Sequence, residues 1–152
     1  MDLRAILKAL KIGQLVPPQL KNAGAFAGNT YMDTLGLSAL LVLIEMGATD
    51  IAMGSTAITT PPLLEECDTT TGTYTAITGA ALAAVISATD DNKLYGIHLD
   101  LAKSHKRYVR IQAPTAGTGT VGVNMSAIAV GFPSDQMPKS AAEMGLAELI
   151  EA

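Results

Sequence analysis

Between Tyr31 and Pro133 the chain is never apolar for long, and each hydrophobic run closes within roughly ten residues on a cluster of turn formers. The breaks include Thr59-Thr60-Pro61-Pro62, Asp68-Thr69-Thr70-Thr71-Gly72, Asp90-Asp91-Asn92 and Gly117-Thr118-Gly119. Proline removes a backbone donor, and glycine, asparagine and aspartate favour tight turns. Segments this short do not make a helical bundle or a βαβ unit. They demand an all-β chain, an antiparallel β-sandwich of jelly-roll-like form, with helices only at its ends.

The segments themselves read as strands. Ala39–Ile44 is a continuous apolar run, the pattern of a strand buried on both faces. Ile51–Met53 reads as an edge piece. Leu63–Cys67 and Thr73–Ile77, joined by the Asp68–Gly72 turn, make a hairpin. Ala80–Ile86 is ambiguous, because alanine favours helix while Val85 and Ile86 favour strand. Leu94–Leu101 and Lys106–Gln112 both alternate. In the second, period two sets Arg107, Val109 and Ile111 against Lys106, Tyr108, Arg110 and Gln112. Thr120–Phe132 is the last strand, with a flexible entry at Gly117 and Gly119.

The two ends differ from this middle. Leu3, Ile6, Leu7 and Leu10 recur at helical spacing, with Arg4, Lys8 and Lys11 off the stripe, so residues 1–12 read as a short amphipathic helix. Pro17-Pro18 ends any helix and begins an extended segment. Past Pro138, Ser140-Ala141-Ala142-Glu143 is a capping-box pattern opening a second short helix, with Met144 and Leu149 on its apolar side. The chain therefore divides into an arm over 1–28, a β-sandwich over 29–133 and a helical tail over 134–152.

Charge and composition narrow the function classes. The 152 residues carry a net charge of −4, which argues against general nucleic-acid binding. Basic residues gather at the N-terminus and acidic ones at the C-terminus: either ordinary solvated ends or surfaces complementary to neighbouring subunits. Aromatics supply 4% of the chain, too few for an aromatic-lined ligand pocket, and the four tyrosines are scattered along it. Cys67 is the single cysteine, so no intrachain disulfide forms. No signal peptide is evident, and the apolar runs fall well short of the roughly 20 residues a bilayer demands; a soluble protein is expected.

No catalytic constellation stands out. His98 and His105 need not converge, and no further cysteine, histidine or carboxylate cluster completes a zinc site. Asp90-Asp91-Asn92 lacks the alternating ligands of a calcium loop. Glu65 and Glu66 would point to opposite faces of a strand, a poor arrangement for acid–base work. No cofactor, no metal and no enzymatic activity is expected. The one concentrated basic patch is Lys103, Lys106, Arg107 and Arg110. It is either a solvated strand guarding an edge or a surface for an acidic neighbour. With Arg107 and Arg110 on opposite faces, one of them would need a buried or interfacial partner.

Three stretches carry a family resemblance. Leu63–Ala80 fits L-x-E-x-D, a turn, then Y-x-x-I-x-G-A; Asp91–Tyr95 is an acidic turn before an aliphatic strand; Arg107–Arg110 reads R-Y-V-R. Together with Ala127–Gly131, they resemble the small structural proteins of tailed-bacteriophage heads, over about residues 30–132. The resemblance implies a capsid cement or decoration subunit. Such a protein forms a homotrimer, binds the major capsid protein on the outside of the head, and contacts neither nucleic acid nor membrane. It would be made in the bacterial cytoplasm and end on the virion. The expected interface residues are Leu3, Ile6, Leu7, Leu10, Lys103, Lys106, Arg107, Arg110, Met144 and Leu149. The alternatives are another virion component (tail, neck or vertex) and, further off, a jelly-roll carbohydrate-binding module.

Overall fold

The computed structural model describes residues 9–134, and over that span the chain is an all-β antiparallel sandwich. Eleven strands are described: β1 (Lys11–Lys21), β2 (Gly24–Ala25), β3 (Met32–Asp33), β4 (Leu37–Thr49), β5 (Met53–Ser55), β6 (Leu63–Cys67), β7 (Thr75–Ala81), β8 (Leu94–Asp100), β9 (Tyr108–Ile111), β10 (Pro114–Ala116) and β11 (Val123–Pro133). They form a long sheet in the order β1-β11-β4-β8, a second sheet β3-β9-β6-β7, and a small one β2-β10-β5.

Side-chain alternation drives the packing. Leu40, Val42, Ile44 and Met46 of β4 and Val123, Met125, Ala127 and Ala129 of β11 turn inward from the long sheet. They join Leu64, Val109 and Ile111 of the second sheet in one continuous core. Burying each of the leucine, isoleucine, valine and methionine side chains stabilises by about 1.5–3 kcal/mol. On the inner face small residues of β11 lie opposite large ones of β4, as in Ala127↔Ile44 and Ala129↔Val42.

Several expectations change. The Ala39–Ile44 run lies in β4, but only alternate residues are buried; Leu41 and Leu43 are half-buried on the outer face, because among the described residues no second sheet covers that side. Lys11 and Ile12 belong to a strand and not to a helix, since Lys11↔Gly131 and Ile12↔Val130 pair them to β11. The long sheet thus takes in residues the sequence reading gave to the arm. Pro17 and Pro18 lie within β1, which tolerates them as a sheet edge whose register shifts between Gln14 and Gln19. The ambiguous 80–86 stretch ends β7 and then bends, with Ile86 bridging Met53. Leu63–Cys67 does form a hairpin with β7. The segments read as terminal helices are otherwise outside the described residues, Leu10 being half-buried just ahead of β1.

Carboxylates tie the loops. Asp50 accepts the N–H groups of Thr120, Val121 and Gly122, each at 2.8 Å, and Asn22 bonds both ways with Gly119. The glycine-rich entry to β11 is therefore pinned and not free. Asp90 accepts Ser87 N–H at 2.8 Å and the Lys93 ammonium at 2.5 Å, closing the turn before β8. Hydrogen bonds to the charged form hold Asp50 below the ordinary carboxylate range; the Lys93 bond, foremost, holds Asp90 at about 2. A folded-state pKa below the unfolded one means the stabilisation is full above the ordinary aspartate value, about 3.9, and lost as pH falls through the folded value. The thermal midpoint should stay level from neutral pH to about 5 and drop between about pH 4 and 2. Scanning calorimetry across that range checks this, and Asp50→Asn should flatten the drop.

Candidate functional site: an arginine and tyrosine face

The outer face of the second sheet gathers the charged and aromatic side chains. Val109 and Ile111 turn into the core, so period two sends Tyr108 and Arg110 outward together. Arg110 lies opposite Glu65 of β6, and its Nε donates to Glu65 Oε1 at 2.6 Å. Glu65 is 5% exposed, so Arg110 offsets the cost of burying its carboxylate. Tyr74, in the loop before β7, lays its ring against the guanidinium of Arg110, 3.8 Å from the ring centre. Burial, foremost, pushes the Tyr74 phenol up, and its Oη has no hydrogen-bond partner among the described residues. The ring is held by its face on Arg110.

At the other end of β9, Arg107 forks onto Asp33 of β3, with Nε to Oδ1 at 2.9 Å and Nη2 to Oδ2 at 2.8 Å. The hydrogen bond from Arg107 holds Asp33 below the ordinary carboxylate range. The same guanidinium lies 5.1 Å from the ring centre of Tyr108, which packs edge to face with Tyr31 at 5.1 Å. Tyr31 and the Arg107 side chain are each over 40% exposed, so this corner is open to solvent.

The expected site residues are only partly brought together. Arg107 and Arg110 share this face, but the sequence reading placed them on opposite sides of a strand. Arg107 precedes β9 and escapes its alternation, and each arginine finds its carboxylate within the chain. Among the described residues no arginine charge is left unmatched to call for a neighbouring subunit. Lys106 donates from Nζ to Thr75 Oγ1 at 3.1 Å and from its backbone N–H to Glu66, which also meets His105 Nδ1 at 2.9 Å. Glu65 and Glu66 do point apart, as their adjacency on a strand requires. Lys103 is exposed in the turn after β8. Leu3, Ile6, Leu7, Met144 and Leu149 lie outside the described residues.

The sequence reading missed Asp33 and Glu65 as partners and took the tyrosines as scattered. Tyr31, Tyr74 and Tyr108 in fact converge on the one face; Tyr95 lies on β8. The outward parity of Tyr108 with Arg110 was readable from the alternation. The carboxylates were not, since they arrive through pairings across 74 and 45 residues.

Arginine and tyrosine are the residues that dominate protein–protein hot spots, being large, rigid once paired, and able to bond and stack together. Elsewhere, a groove of about 410 Å³ opens beside Glu45, Lys93, Leu94 and Asn124, and one of about 290 Å³ lies between β7 and β8. Among the described residues no cluster of three metal-ligating side chains occurs, and no helix is long and apolar enough to cross a membrane. The chain matches no known family model, and a search of curated proteins finds no match to it.

Proposed function

We propose that this chain is a capsid cement subunit, jelly-roll-like in form, that assembles as a trimer on the outside of a tailed-phage head and stabilises it by bridging capsomers. The observation that carries the reading is spatial. Two of the stretches resembling phage-head proteins, 63–80 and 106–110, fall on β6, β7 and β9, which are adjacent in one sheet. Their outward side chains make up most of the arginine and tyrosine face, so the resemblance converges on a surface of interface composition. Its charges are already paired within the chain, which favours a partner that stacks and hydrogen-bonds over one that merely neutralises. Repetition around a symmetric shell makes modest contacts strong together.

Purified protein mixed with expanded empty heads tests this by co-sedimentation and particle imaging. Saturable binding in many copies over the shell is expected, with a rise in the temperature or force at which heads rupture. Arg107→Ala should weaken binding at least about tenfold while leaving the fold intact, because Arg107 is half-exposed and stands at the open corner. Failure to bind shells would overturn the reading. A small ring of copies at a vertex or neck would move the protein to the alternative virion position.

A further inference from the structure

We infer that β8 is a pairing edge at which a second copy of this chain adds its own β8, antiparallel, about a two-fold axis through Ile97. The edges at β1, β3 and β7 are blocked. β1 is interrupted by Pro17 and Pro18 and by two register shifts. β3 is two residues long, and β7 carries Gly79 in a left-handed conformation together with a shift against β6. These are the usual protections of a sheet edge. β8 has none of them. It is seven residues without proline, and its register against β4 is unbroken from Ala39↔Asp100 to Glu45↔Leu94.

The phase of that ladder is set by Leu101 N–H donating to Ser38 O and Met46 N–H donating to Lys93 O. Tyr95, Ile97 and Leu99 therefore turn their backbone groups toward β4. Leu94, Gly96, His98 and Asp100 turn theirs outward, and among the described residues only Asp100 O finds a backbone donor, Lys103 N–H at a long 3.4 Å. A cavity of about 290 Å³ separates His98, Leu99 and Asp100 from Thr78, Gly79 and Ala80 of β7.

The occupant follows from complementarity. Centring two β8 strands on Ile97 sets Leu94 opposite the partner's Asp100 and Gly96 opposite the partner's His98. These are hydrogen-bonded positions, so every outward N–H and C=O of β8 finds a partner. On the inner face Ile97 meets the partner's Ile97 and Tyr95 meets the partner's Leu99, apolar on apolar. Along the paired strands no like charges oppose. The contact is isologous and closes on itself. It doubles whatever unit the chain otherwise forms.

Sedimentation over a concentration series, with amide exchange, tests it. Wild type should double in mass, and the Gly96 and His98 amides should slow at least about tenfold in the doubled form. Gly96→Pro removes an outward N–H that β4 does not use. A Cβ at Gly96 meets Leu41 and Leu43 methyls at an ordinary 3.7 Å, so the strand can carry the change. Doubling should be lost in Gly96→Pro and kept in Gly96→Ala. The inference fails if wild type never doubles or if Gly96→Pro doubles like wild type. Should Gly96→Pro not fold, amide exchange of the wild type alone decides: concentration-independent exchange at Gly96 and His98 overturns the pairing. Shell binding plays no part in this readout, so either proposal can fall without the other.

Discussion

Arg110→Ala is expected to destabilise the fold by about 3 kcal/mol, because it leaves the Glu65 carboxylate buried without its partner. Glu65 is 5% exposed and accepts the Arg110 Nε–H at 2.6 Å. Removing the guanidinium also takes away the surface on which the Tyr74 ring lies. The Arg110 side chain is about a third exposed, which holds the figure to the low end for breaking such a pair. In a chain of this size the loss should lower the melting temperature by about 10 °C. Chemical denaturation of Arg110→Ala and of Glu65→Leu/Arg110→Met separates the causes. If the isolated charge is responsible, the double variant should recover most of the loss. A double variant as unstable as the single one would mean that packing on Tyr74, and not the carboxylate, sets the cost.

Gly54→Ala should be as damaging through a different cause. Gly54 sits buried in β5, and a Cβ there would overlap the backbone oxygens of Ala57 and Thr60. Those oxygens cannot swing aside as a side chain would. The Thr60 oxygen accepts the Ser55 N–H at 2.8 Å, and the Ala57 oxygen accepts the Thr60 N–H, so the turn is closed on itself. Relief requires β5 to shift from β10, to which it is paired through Pro114↔Ser55 and Ala116↔Met53. A loss of about 3 kcal/mol or more follows, a large fraction of the stability ordinary for a domain. Soluble yield and urea midpoints check it. Gly96→Ala, which meets only methyls at contact distance, serves as the tolerated control.

The difference between these two glycines was invisible in the sequence. Both sit within strands, and nothing local tells which faces a turn's backbone and which faces open methyls. The same holds for the arginines. Local alternation put Tyr108 and Arg110 on one side of β9 and placed Glu65 and Glu66 on opposite sides of β6. It misplaced Arg107, whose strand begins one residue later, and it named no carboxylate for either arginine. A charge pattern shows that partners are needed; only long-range pairing shows which side chains they are.

The sequence by itself determined the class of this protein. Turn formers at short intervals and period-two runs dictated an antiparallel β-sandwich, with the β6–β7 hairpin following from residue type. What only the tertiary structure decided is which strands lie side by side. It joined Lys11–Lys21 to β11 in the long sheet, set β8 at the end of that sheet's order, and carried Asp33, Glu65 and three tyrosines to two arginines. The physical reason is that alternation is a property of neighbours along the chain, whereas strand order is fixed by the packing of the whole core.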